Sequence, residues 1–319
     1  LIELLVALVV LVLANVGERY RPVWYVVAVL LAATNLLLMA AGGFALLAQV
    51  IFSRVEAPPP PFFAPRVGAV LLVTGAVAFL PLLIPTVRRA LAEVLPLHPQ
   101  RPVHTLAVVY AVYFVGITLA QYAADVSAQL FSMGVQVTLA VLWVQGGFFV
   151  ALSLAGVGFP VRRSFGEALR RLGLAGLNGR QVGAVLVTVA GLEAFDYLVN
   201  LAWFAWDPAS FERISALNER LFAGLVTPAG ALSLGITAGV GEELLFRGAV
   251  QPRFGLVLTS AIFALAHTQY AVSPALLEVF AIGLVLGVVR ERVNTTAAVG
   301  VHALYNIVNV LLWPLWPGS

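Results

Sequence analysis

The chain of 319 residues has no cysteine and no lysine. Without cysteine there are no disulfides, no thiolate metal sites, no iron–sulfur clusters and no cysteine nucleophile, and no clue to redox compartment. Without lysine, all 18 basic residues are arginine. Charge of either sign is scarce, at 10% of residues, where a soluble globular domain carries roughly 25%. Hydrophobic residues make up 61% of the chain, and no soluble domain of useful size fits between its apolar runs. No basic stretch is interleaved with aromatics on a polar face, which excludes nucleic-acid binding. What remains is a chain whose partner is the lipid bilayer.

A run of about 20 apolar residues crosses a bilayer as a helix. Such runs fall at 1–16, 23–52, 67–86, 105–124, 134–158, 182–205, 224–249, 254–271, 274–290 and 296–316. The sequence therefore predicts an all-α, polytopic transmembrane helical bundle of about 8–10 spans, with a C-terminal helix core. Run 1–16 lacks a basic leading region and a small-residue cleavage site, so it reads as a marginal or truncated span rather than a targeting remnant. Run 23–52 is long enough to tilt or to include an interfacial turn at Gly42–Gly43.

Alternating these spans sorts the arginines onto two sides. Arg54, Arg66, Arg213 and Arg220 fall on one, and the remaining 14 of the 18 on the other. The positive-inside rule sets the larger group toward the cytoplasm. The arginine-only, cysteine-free composition points to a bacterial source, hence to the bacterial plasma membrane.

Two linkers interrupt the pattern. Residues 53–66 carry the run Pro58–Pro61 and should form a stiff surface loop. Residues 159–181 alternate Phe165, Ala168, Leu169, Leu172 and Leu174 with arginines, the pattern of a basic amphipathic helix on an anionic membrane face. This divides the chain into an N-terminal transmembrane region of unassigned role (1–158), the interfacial segment (159–181) and a C-terminal core (182–319). No internal repeat supports an inverted-repeat transporter.

An ionisable residue inside a bilayer costs about 2.5–3.5 kcal/mol on insertion scales, so it needs a reason. The C-terminal third holds three such clusters on three spans. The first is Gly241-Glu242-Glu243-Leu244-Leu245-Phe246-Arg247-Gly248. Glu243 and Arg247 are four apart and can pair on one helical face, while Glu242 points about 100° away. An unpaired carboxylate in an apolar setting suits a general base; a structural ion-pair network is the equally simple alternative. The second cluster is Phe263-Ala264-Leu265-Ala266-His267, whose lone histidine would ordinarily be a packing residue. The third is His302-Ala303-Leu304-Tyr305-Asn306, which presents two polar side chains one turn apart or, as simply, interhelical hydrogen-bond glue. At about 1.5 Å rise per residue, all three fall in the inner half or middle of the hydrocarbon. One shared cavity explains this better than three coincidences.

EELLFRG, FALAH and HALYN resemble, in order, the E-E-x-x-x-R, F-x-x-x-H and H-x-x-x-N motifs of the CAAX-processing and bacteriocin-immunity (CPBP) family. That family includes the type II CAAX prenyl endopeptidases and the abortive-infection proteins. The resemblance covers roughly residues 160–316 and includes EALRRLGL before the core. It implies an intramembrane endopeptidase in which Glu242 activates water, His267 orients it, and His302 and Asn306 stabilise the oxyanion. Glu243, Arg247 and Phe263 would support them. The substrate would be a membrane-associated peptide or protein, lipidated or C-terminally processed. No metal is demanded, yet Glu242, His267 and His302 are acceptable ligands for Zn²⁺. A metal-free, carboxylate-driven route works with the same residues.

Weaker polar features remain. Glu193, Asp196 and Asn200 share one face of the 182–205 run and read as structural pairing, as does Glu278 on 274–290. Gly283 and Gly287 read as a packing face. Two rivals stand beside the peptidase: a non-enzymatic immunity or scaffold protein, and a proton-coupled transporter relaying through Glu242, Glu193 and Asp196.

Overall fold

In the computed structural model, residues 2–52, 64–126, 129 and 132–312 are described. They are all helical or loop, with no strand among them. The proline-rich linker expected at 53–66 lies almost wholly outside them. Proline opens helix after helix, where its missing N–H costs nothing. Polar caps open others: Thr138 accepts from Val141 N, and Asn178 and Gln181 form a capping box.

The chain folds as two compact units, Leu1–Gln129 and Leu130–Ser319. The first contains α1 (Ile2–Gly17), α2 (Arg21–Phe52), α3 (Pro65–Leu83), α4 (Pro85–Val94) and α5 (Pro102–Ala123). α2 runs unbroken through Gly42–Gly43, so the turn allowed by the sequence does not form. Gly42 serves contact instead, because a Cβ there would lie 2.5 Å from the Gly68 carbonyl oxygen of α3. Tyr113 donates to Asn35 Oδ1 at 2.6 Å, which satisfies part of a buried amide in an apolar setting.

The second unit contains α6 (Leu139–Val157), α7 (Phe165–Arg171), α8 (Gly179–Trp206), α9 (Pro208–Phe222), α10 (Pro228–Glu243), α11 (Gln251–Leu265), α12 (Pro274–Arg292) and α13 (Thr295–Leu312). Its axis is the contact of α10 with α13 and α6. A Cβ on Gly239 would meet Ala303 N at 2.9 Å, and one on Gly241 would meet the Gly146 backbone at 3.0 Å. Only glycine permits so close an approach, and it sets Glu242 and Glu243 beside α13. Replacing Gly239 by valine should wedge α10 from α13 at a cost of about 1–3 kcal/mol. The thermal unfolding midpoint in detergent should fall accordingly; an unchanged midpoint would refute the close packing.

Seven helices among the described residues are long and apolar enough to cross a membrane. Large apolar side chains such as Leu37, Leu47, Val187 and Leu277 face outward, as suits lipid. The protein is an integral membrane protein. The count differs from the hydropathy runs for definite reasons. α1 is only 16 residues long, and α12 carries Glu278, Arg290, Glu291 and Arg292. Runs 224–249 and 254–271 merge into one helical stretch, Pro228–Leu265. At about 1.5 Å per residue its 38 residues would far exceed a bilayer's width of about 30 Å. It bends at Gly255, where φ 74° and ψ 173° interrupt the helix.

The amphipathic segment is helical over α7 and again from Gly179, where α8 begins; α7 is opened by a capping box in which Glu167 accepts from Ser164 N at 2.8 Å. Gly173, at φ 81°, ends it early.

Candidate active site

Where α10 reaches Glu243 the backbone passes into a π-helical turn, Leu244–Val250, before α11 begins. Such wide turns are frequent at functional sites. Glu243 is fully buried and holds two partners at once. Its Oε2 accepts from Arg247 Nε at 3.0 Å, and its Oε1 accepts from His302 Nδ1 at 2.9 Å. The Arg247 pairing is the one the four-residue spacing anticipates. The His302 partner, 59 residues away, is not legible in the sequence.

Arg247 is fully buried too, with its guanidinium carbon 4.8 Å from the centre of the Phe263 ring. Phe263 is the hub of the cluster. Its ring centre lies 5.2 Å from that of Phe246, 4.9 Å from that of His267 and 5.9 Å from that of His302. One aromatic thereby touches residues from all three motifs.

Glu242 has a different situation. It is half-buried, its Oε2 is enclosed, and that oxygen has no hydrogen-bond partner in the protein. It lies close enough to act electrostatically on His302 and on Tyr270. Adjacent glutamates therefore differ sharply: one is tied by two partners, the other holds an idle oxygen.

His267 does not sit within a helix, as hydropathy had placed it. α11 stops at Leu265, and His267 occupies the turn before the short helix Thr268–Tyr270. Its Nδ1 lies 2.9 Å from the Phe263 carbonyl oxygen, which also accepts from Ala266 N at the helix end. A carbonyl only accepts, so Nδ1 carries the proton and Nε2 keeps its lone pair in the neutral ring. Tyr270 stacks on the other side, with centroids 6.1 Å apart and planes within 9°. Tyr270 is itself packed on the cluster of Trp203, Phe211, Ile214 and Ala275. His302 is held by the same logic: the Glu243 carboxylate takes Nδ1, and Nε2 is left for another task. Asn306 follows one turn later on α13, half-buried.

A second polar cluster adjoins the first, and its extent was missed in the sequence. Asp196 on α8 accepts from Asn200 Nδ2 at 3.1 Å, Tyr305 Oη at 3.3 Å and Asn309 Nδ2 at 3.3 Å. Glu278 on α12 is buried near Asp196, with its Oε1 enclosed and unpartnered. Tyr305 and Asn309, four apart on α13, carried the signal. Glu193 is half-buried, with both carboxylate oxygens enclosed and unpartnered. Gly283 and Gly287 do pack as expected, against Ser260 and Phe263, and against Leu256 and Gln251.

Zinc chemistry would require Glu242, His267 and His302 to converge. Among the described residues no group of three or more His, Cys, Asp or Glu is placed to hold a metal ion. No step below is routed through a metal ion.

Fold and site together define a polytopic helical membrane protein with a buried carboxylate–histidine centre. Residues 224–308 match the family described as "Type II CAAX prenyl endopeptidase Rce1-like". This segment holds all three motifs, so the family resemblance holds there. The chain is also 32% identical over 95 residues to "Uncharacterized protein YpbD" of Bacillus subtilis (strain 168). That alignment covers 30% of this chain and 50% of the relative, so the match spans about half the relative's length. No solved structure matches.

Proposed function

We propose that the protein is an intramembrane endopeptidase in which Glu242 drives water onto a substrate peptide carbonyl. The observation that carries this is the contrast between neighbours: Glu243 is saturated by Arg247 and His302, while Glu242 keeps an enclosed, unpartnered oxygen. A structural ion-pair network needs Glu243 and has no use for Glu242.

In this reading the Glu242 carboxylate takes a proton from water, whose oxygen bonds to the carbonyl carbon. The lone pair on His267 Nε2 accepts the water's second hydrogen and fixes its approach. His302, protonated on both nitrogens with Nδ1–H held by Glu243, donates Nε2–H to the oxyanion, and the Asn306 amide donates beside it. The C–N bond then breaks as Glu242 returns its proton to the leaving nitrogen, giving a carboxylic acid and an amine. His302 and Asn306 are one turn apart on one helix, so both can donate to one oxyanion. Asn306→Ala should slow hydrolysis about 10²–10³-fold without loss of the fold. A transporter using the acidic cluster would keep its flux in that variant, and flux without cleavage would sink the peptidase.

The substrate is a membrane-associated or C-terminally processed, CAAX-like peptide or protein, lipidated substrates included. The arginine asymmetry supports a bacterial plasma membrane orientation with the site open to the cytoplasm. Residues 182–319 form the protease core, with 159–181 as its interfacial collar. Hydrolysis here is glutamate-dependent, so purified protein in proteoliposomes should cleave at an undiminished rate after zinc chelation. A collapse restored by Zn²⁺ would replace this route with a metal-dependent one. The primary test is N-terminal-labelling proteomics on membranes expressing wild type or Glu242→Gln. New peptide ends confined to the wild type support the proposal; identical profiles at equal abundance reject it.

A further inference from the structure

Outside the candidate active site, arginines concentrate where three helices of the second unit are tied together. Segments 158–173, 251–253 and 290–294 carry seven of them (162, 163, 170, 171, 253, 290 and 292) against two glutamates, Glu167 and Glu291. Three tethers fix the geometry. Thr295 donates its hydroxyl to the Leu172 carbonyl at 2.6 Å and its N–H to the Gly173 carbonyl at 3.1 Å, clamping the end of α7 to the start of α13. Arg171 Nη1 reaches the Gly248 carbonyl at 3.5 Å, on the π-helical turn that leads into α11. Gln251 Nε2 donates to the Gly287 carbonyl at 3.1 Å and to Glu291 Oε1 at 2.9 Å, joining the head of α11 to the foot of α12.

These ties bring Arg171, Arg253 and Arg290 together from three helices. Arg163 joins them from the loop before α7, where it donates to the Val157 carbonyl. All four are half-buried. Glu167 caps α7 through Ser164 and faces Arg163 and Arg170, and Glu291 accepts from Gln251, so two carboxylates stand among seven guanidiniums. The crowding is felt at Arg171, whose guanidinium is pushed down to about 10 by burial first and then by Arg253, Arg163 and Arg290. Cations in the last turns of α7 and α12 complement those helices' dipoles. That explains a cation on each helix, but not their collection at one place, where like charges repel.

We propose that Arg163, Arg171, Arg253 and Arg290 form a binding site for an anionic phosphate group at the membrane boundary. Planar guanidiniums match phosphate oxygens in charge and in geometry. The phosphate can belong to an anionic phospholipid headgroup or be free in solution. Phe165, 53% exposed at the head of α7, offers an apolar anchor beside the cluster and favours the lipid.

The test is native mass spectrometry of the full chain, delipidated in detergent and titrated with phosphatidylglycerol, phosphatidylcholine or inorganic phosphate. Wild type should bind phosphatidylglycerol in preference to phosphatidylcholine. Arg171→Gln and Arg253→Gln should each weaken that binding about fivefold, while Arg180→Gln, at the start of α8, should leave it unchanged. Arg171→Lys keeps the charge without the planar donor pair and should fall between. If inorganic phosphate binds instead, with the same losses in the same variants, the site stands and its ligand is free phosphate. Equal binding by wild type and both glutamine variants overturns the proposal, as does equal binding of the two lipids without phosphate binding. Should Arg171→Gln fail to fold, Arg253→Gln decides alone.

Discussion

Glu242→Gln is expected to lower peptide hydrolysis by about 10²–10⁴-fold, the usual contribution of a general base, while leaving the protein folded. Glutamine has the shape of glutamate but takes up no proton. Because Glu242 Oε2 has no partner to lose, stability should change by no more than about 0.5 kcal/mol. Two readouts on one preparation settle it: cleavage of substrate in proteoliposomes, and the unfolding midpoint in the same lipid. Retained cleavage would remove Glu242 from the chemistry.

The neighbouring substitution should behave in the opposite way. Glu243→Gln leaves the buried Arg247 guanidinium without its counter-charge and His302 without the carboxylate that fixes its ring. Breaking a buried pair by removing one partner costs about 3–5 kcal/mol. The midpoint should drop markedly, and activity should fall with it because His302 loses its orientation. A Glu243→Gln protein as stable as wild type would show that the three-residue network is not what holds α10 to α13. Two adjacent glutamates, changed identically, thus separate chemistry from architecture.

The helical membrane fold was legible because hydropathy reports it directly: long apolar runs with few charges have little alternative to spanning a bilayer. The Glu243–Arg247 pair was legible because helical geometry fixes which residues four apart can meet. His302 joining that pair was not, since the sequence records no distance between α10 and α13. The place of His267 was misread for a related reason. Apolar character continues past Leu265, so hydropathy carries the helix on, whereas the chain stops it and lends His267 the Phe263 carbonyl. Asp196 was seen as one of three polar residues on a face; its bonds to Tyr305 and Asn309 depend on another helix. Pairings within a helix were readable, and so was the gathering of the three clusters, but which side chain meets which across helices was not.

The π-helical turn Leu244–Val250 makes the site sensitive to chain length as well as to chemistry. A π turn accommodates roughly one residue more than the α-helix it interrupts. Deleting a single leucine there would leave hydrophobicity almost unchanged, yet it would let the backbone relax to ordinary helix. Everything downstream would then rotate by about 100° relative to Glu242. Phe263 would leave its place between Arg247, His267 and His302, and the Gly255 bend would point elsewhere. A scan of one-residue deletions should therefore be tolerated near the exposed head of α7 and fatal to cleavage between Leu244 and Val250. Reading frame along the helix, as much as side-chain identity, is what this segment keeps.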